Sequence, residues 1–147
     1  MRVWILSMFL LSSLAVASDA ERFVTTVALP TGQTAVVAEG DLEARSLGSF
    51  SVRLYAASET PNDTTFFITG LIQAREGRVE EVLLADIEDN QKPKLVVITR
   101  SVGTGNYLSA YAFDLFDGEL IFYGAMEGLA ADLDPVAALR EANITVQ

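Results

Sequence analysis

With 147 residues, twenty acidic against ten basic groups and a formal net charge of −10, the chain is strongly acidic and of single-domain length. Nucleic acid is excluded as a partner, because its phosphates would repel such a surface. The chain contains no histidine and no cysteine. That removes His-assisted nucleophiles, a His general base, Cys/His zinc sites and disulfides, and leaves only carboxylate chemistry for an enzyme.

The first twenty residues read as a secretory signal peptide. Arg2 supplies a positive n-region, Val3 to Leu11 an apolar h-region that Leu14 to Ala17 extends, and Ala15-Val-Ala17 a cleavage site, with Ser18-Asp-Ala20 as a second candidate. The apolar stretch is short for a membrane span and polar residues follow it closely. No cysteine follows Ala17, so lipoprotein processing is excluded. Cleavage after Ala20 removes one base, Arg2, and one acid, Asp19, and leaves the net charge unchanged. The expected mature unit is a single domain over 21–147, with no membrane attachment after cleavage.

That unit reads as a series of short strands. Phe23–Leu29 alternates apolar and polar residues, and Pro30-Thr-Gly32 turns it into Thr34–Ala38. Phe50–Ala56 alternates again, with Phe50, Val52, Leu54 and Ala56 on one face. A surface loop follows over Ser58–Thr64. Thr65–Gln73 and Val79–Ala85 read as a pair joined by the hairpin-type connection Arg75-Glu-Gly-Arg78. Asp86–Lys94 is a polar turn before the buried strand Leu95–Thr99. Tyr107–Phe116 and Leu120–Met126 flank Asp117-Gly118, a two-residue hairpin signal. Helix appears only at the end: Asp134-Pro135 is an N-cap followed by proline at the first helical position, opening Val136–Ala142, and Gly128–Asp132 reads as a further turn. About eight strands with so little helix predict a mainly β protein, an antiparallel β-sandwich with short C-terminal helical segments.

Three motifs invite chemistry, and two fail on inspection. Asp86-Ile-Glu88-Asp-Asn90 alternates oxygen ligands, but the positions that need glycine and a bidentate glutamate in a calcium loop hold Gln91 and Val97. Asp86 and Glu88 also resemble a glycosidase pair, yet nearness in sequence says nothing of the separation that reaction requires. Gly103-Thr-Gly105 lacks the third glycine of a dinucleotide loop, Leu108 standing there, and no helix follows. No metal or cofactor site emerges. The third motif is the whole segment Arg100–Tyr107. It lies within the stretch 90–113, which has no acidic residue, its formal charges being Lys92, Lys94 and Arg100. Such a loop suits an encounter with another molecule's carboxylates.

The run from Ala85-Asp-Ile-Glu88 through Pro93-Lys-Leu-Val-Val-Ile-Thr-Arg-Ser-Val-Gly-Thr-Gly-Asn-Tyr-Leu-Ser-Ala110 resembles the periplasmic inhibitors of invertebrate-type lysozyme. So do Leu29-Pro-Thr-Gly-Gln33, the run Val37–Tyr55 and the tail Asp134-Pro-Val-Ala-Ala-Leu139. The resemblance implies an exported β-sandwich protein of Gram-negative bacteria that protects peptidoglycan by plugging the lysozyme cleft: an inhibitor, not an enzyme, periplasmic and without cofactor. The family's Ser-Gly-x-Tyr motif falls on Thr104-Gly105-Asn106-Tyr107, with threonine in place of serine. Around it, Ser101 and Gly103 belong to the inserted loop Ser101–Tyr107, Tyr107 is the expected anchor, and Arg100 either braces the loop through an ion pair or reaches the target. The turn Asp86–Asn90 departs from the family's Asp-Ile-Asn-Gly-Asp. A non-catalytic assembly module and a carboxylate hydrolase stand as alternatives, and a homodimer is left open.

Overall fold

A computed structural model describes residues 21–116 and 118–146; the expected signal peptide and Asp117 lie outside them. Eight strands and one helix follow in chain order: β1 Val24–Ala28, β2 Thr34–Glu39, β3 Leu47–Tyr55, β4 Phe67–Glu76, β5 Arg78–Ala85, β6 Lys94–Arg100, β7 Leu108–Phe116, β8 Glu119–Leu129 and α1 Pro135–Val146. Strands β1 to β4 form one antiparallel sheet in sequence order, and β5 to β8 form the other.

Period-two burial in β3 sends Phe50, Val52 and Leu54 inward, where with Ala35 and Val37 they meet Leu95, Val97, Tyr111 and Phe113 of the second sheet. Phe50 is the hub, packing edge-to-face on Tyr111 at 5.5 Å and on Phe113 at 6.0 Å. Strand β6 does not alternate, because it is covered on both faces. Leu95 and Val97 face the first sheet, while Val96 and Ile98 join Ala110, Ala112, Leu129 and the helix residue Leu139 in a second apolar cluster. A strand buried on both sides reads as a continuous apolar run, which is why Leu95–Thr99 showed no polar face.

Helix α1 begins as its sequence predicts. Asp134 Oδ1 accepts from the backbone N–H of Val136 at 2.9 Å and of Ala137 at 3.3 Å, and Pro135 opens the helix. Two expectations are corrected. Arg75-Glu-Gly-Arg78 does not close a hairpin: β4 and β5 belong to different sheets, and Gly77, at φ 75°, turns the chain from one layer to the other. Gly128–Asp132 does not add a helical turn. Gly128 and Leu129 finish β8, where Gly128 at φ 68° takes up a register shift opposite Leu108 and Ala110.

Among the described residues no helix is long and apolar enough to cross a membrane. Truncating the hub as Phe50→Ala is expected to lower the unfolding free energy by about 3–5 kcal/mol in denaturant titration, since two aromatic partners lose their contact together.

Candidate functional site

The segment 101–107 joins β6 to β7 at one end of the sandwich, and every residue from Val102 to Tyr107 is exposed. Its base is closed by the backbone: Ser101 N–H donates to the Tyr107 carbonyl at 2.8 Å. Two positions take left-handed backbone, Gly103 at φ 137° and Asn106 at φ 46°. At Gly103 a side chain would meet nothing, so only its dihedral calls for glycine. Gly105 is different. A Cβ there would lie 2.2 Å from Cε2 of Tyr107, so the ring lies across the bare backbone of Gly105. That packing holds the ring in place while leaving the residue 54% exposed. The hydroxyls of Thr104 and Tyr107 and the Asn106 amide make no hydrogen bond among the described residues, which leaves them free for another molecule.

Arg100 ties the loop to the sheet. Its Nε and Nη2 donate to the two carboxylate oxygens of Glu80, the second at 3.1 Å, and its Nη1 donates to the Asn106 carbonyl at 3.2 Å. The Glu80 carboxylate holds the guanidinium yet more firmly protonated than usual. Sequence reasoning missed Glu80, because only the β5–β6 register brings it to Arg100. The acid-free stretch is therefore acid-free in sequence but not in space, and the nearby carboxylate is matched by a bidentate fork.

Beneath the loop lies the crossover glycine. A Cβ on Gly77 would sit 2.0 Å from the Arg100 carbonyl oxygen and 2.6 Å from Ser101 Cα, so no other residue lets β4–β5 pass so close to the loop root. Gly77 is held in turn by Arg75, whose side chain is 3% exposed. The Arg75 guanidinium donates to the carbonyls of Gly77, Ser49 (3.0 Å), Arg45 (3.3 Å) and Ala44 (3.3 Å), and it lies 3.8 Å from Glu39 and 3.5 Å from Glu43. Glu39 accepts from the N–H of Val79 at 2.6 Å and of Phe23 at 3.0 Å, linking the sheets. Hydrogen bonds from the Ser49 N–H and hydroxyl hold Glu43 below the usual glutamate range.

The acidic turn Asp86–Asn90 lies at the opposite end of β6, about 20 Å away at ~3.3 Å per residue. Asp86 accepts from the N–H groups of Asn90 (3.2 Å) and Gln91 (2.7 Å), while Asp89 and Gln91 take positive φ. Glu88 instead reaches Lys94, which is 2% exposed and lies 2.9 Å from Glu88, 3.0 Å from Asp114 and 4.1 Å from the Tyr123 ring centre. The two acids are thus engaged separately in building a turn and anchoring a buried lysine, and do not face one another as a catalytic pair. Among the described residues no cluster of His, Cys, Asp and Glu could hold a metal ion. Lys94, counted by sequence with the loop's charges, belongs to this distant cluster.

A mainly β scaffold thus carries unengaged hydroxyls on a braced, exposed loop. Residues 21–143 match the family described as periplasmic lysozyme inhibitor of I-type lysozyme. The crystal structure of such an inhibitor from Aeromonas hydrophila, PliI-Ah, is 40% identical, with a TM-score of 0.73 over 80% of this chain and 98% of that one. A second structure, Aeromonas hydrophila PliI in complex with Meretrix lusoria lysozyme, is also 40% identical, with a TM-score of 0.72 over 80% of this chain and 95% of that one. No curated protein matches significantly. The chain belongs to the family of periplasmic inhibitors of I-type lysozyme, proteins that inhibit an enzyme and are not enzymes themselves.

Acid should loosen the frame. Lys94 above all, and hydrogen bonds from Tyr123 and Asn90, hold Glu88 below its ordinary value of 4.5, and Glu43 is lowered too. Depressed carboxylates stabilise the fold above their unfolded values and lose that contribution as pH falls through the folded ones. The melting temperature is expected to hold from pH 7 to about pH 5 and to fall below about pH 4.5, less steeply in Glu88→Gln, as followed by circular dichroism.

Proposed function

We propose that the loop Ser101–Tyr107 inhibits I-type lysozyme by entering its active-site cleft. A lysozyme cleaves its glycan with one protonated and one ionised carboxyl group. A hydroxyl suits both, because it donates to a carboxylate and accepts from a carboxylic acid. The observation that carries this reading is the pairing of unengaged Thr104 and Tyr107 hydroxyls with a loop closed at its root by the Ser101–Tyr107 backbone bond and braced by Arg100 at the Asn106 carbonyl. The complex of the Aeromonas hydrophila relative with Meretrix lusoria lysozyme supports the partner class.

In this reading Tyr107 is the anchor, combining apolar area with a polar tip. Its ring is already seated on Gly105, so little rotamer freedom remains to be lost on binding. Thr104 presents the hydroxyl that serine supplies elsewhere in the family, on a side chain whose branch restricts χ1. Gly103 and Gly105 shape the loop, Ser101 closes it and Asn106 supplies the carbonyl that Arg100 holds. Residues 1–20 serve as the export signal, cleaved after Ala17 or Ala20, and 21–147 as one inhibitory domain.

The test is inhibition of an I-type lysozyme in a turbidity assay. Tyr107→Ala is expected to weaken inhibition by about 2 kcal/mol, roughly thirtyfold. Thr104→Ala is expected to cost about 1.5–3 kcal/mol, the range for a hydrogen bond to a charged group. Full inhibition by the double variant, with an unchanged unfolding midpoint, would remove the loop from the mechanism.

A further inference from the structure

We propose that Arg45 and Arg78 form a second lysozyme contact, a groove at the root of the loop that receives a carboxylate from the rim of the enzyme's cleft. The proposal rests on the loop reading above and extends it to partner recognition. It begins with how the chain uses its cations. Arg22 is paired with Asp41 at 2.8 Å, Arg75 with Glu39 and Glu43, Lys94 with Glu88 and Asp114, and Arg100 with Glu80. Arg140 donates to the Asp86 carbonyl at 2.9 Å. Arg45 and Arg78 are both exposed, and neither guanidinium has an ion-pair partner among the described residues; half-buried Arg53 on β3 also lacks an ion pair, but it does not line this groove. In a chain with twice as many acids as bases, two unmatched arginines in one place call for an explanation.

They share a groove of about 790 Å³ whose lining includes Arg22, Glu39, Asp41, Glu43 and Arg75. Within it, Asp41 is taken by Arg22, Glu39 by Arg75 and two backbone N–H groups, and Glu43 by Arg75 and Ser49. Glu21, also in the lining, is the acid left over against two free guanidiniums. The groove abuts the loop. Arg78 is the cross-strand partner of Arg100, Gly77 N–H donates to the Ser46 carbonyl at 2.8 Å, and Gly77 packs on Arg100 and Ser101. Arg45 and Arg78 each neighbour one end of that Ser46–Gly77 bond in sequence, so they flank the root of the element that enters the cleft.

The sign of the charge identifies the ligand. A chain of charge −10 approaching a cleft that works with carboxylates meets local repulsion, which two guanidiniums beside the loop reverse where the surfaces close. A guanidinium presents a planar fork that matches a carboxylate with two hydrogen bonds. The occupant is therefore an aspartate or glutamate of the lysozyme.

The experiment measures inhibition of an I-type lysozyme, and association kinetics at low and moderate salt, for full-length processed protein carrying Arg45→Gln/Arg78→Gln. Arg140→Gln serves as a control with a charge change far from the groove, and Tyr107→Ala reports on the loop. The expected result is at least about tenfold weaker inhibition for the double variant with a flatter salt dependence, little change for Arg140→Gln, and unchanged unfolding midpoints. Unchanged inhibition by the double variant, while Tyr107→Ala loses it, overturns the groove and keeps the loop. A loss per charge as large for Arg140→Gln also overturns it, because net charge would then be the cause. If Tyr107→Ala and the double variant both inhibit fully, the loop reading fails and the groove with it.

Discussion

The guanidinium of Arg75, 3% exposed, is the contact on which the loop end of the molecule depends. It gathers the carbonyls of Ala44, Arg45, Ser49 and Gly77 between the carboxylates of Glu39 and Glu43. Those carbonyls belong to β3 and the approach to it and to the passage from one sheet to the other, so one side chain holds both. Gly77 is thereby pressed against Arg100 and Ser101, and the loop inherits its position from the crossover beneath it. Removing one partner from such a buried network leaves an uncompensated charge and costs about 3–5 kcal/mol. The loop would lose its footing along with that stability.

The loop itself is highly organised. Its ends are closed by a backbone bond, its far side is held by Arg100, and its largest side chain rests on Gly105. Ordering is accomplished before a partner arrives, which leaves more of any contact energy for affinity. At the far end of β6, buried Lys94 performs a similar task with Glu88, Asp114 and Tyr123, and Tyr123 reaches Asn143 of α1 at 2.6 Å. Each end of the second sheet is fixed by a cation matched with carboxylates. The acidity of the chain is thus partly structural, because both buried cations are neutralised by acids from neighbouring strands and turns.

Much of this was legible in the sequence, and the gaps share a cause. Alternation at Phe50–Ala56 identified the inward face of β3, and Asp134-Pro135 marked the helix start, because both are local rules. The partition into two sheets was not local. Arg75-Glu-Gly-Arg78 carries the glycine of a hairpin, and a sheet crossover uses the same glycine. What separates them is the burial of Arg75, which appears only when Ala44, Arg45 and Ser49 are brought over it. Gly128 misled for a similar reason, since positive φ serves a bulge as well as a helix end. At the loop, residue chemistry suggested a surface for carboxylates, but the order Thr104-Gly-Asn-Tyr107 acquired meaning only through the family resemblance. Glu80, Gly77 and the unpaired arginines Arg45 and Arg78 needed the fold, because strand register and the Ser46–Gly77 contact between distant segments join them to the site.

Amide hydrogen exchange on the processed chain, alone and with saturating I-type lysozyme, tests the central claim most directly. Protection is predicted to appear across 101–107 and in the flanking segments around Arg45 and Arg78, with the Asp86–Asn90 turn unchanged. Binding that protects another face, while the amides of 101–107 exchange as in the free protein, would contradict the account.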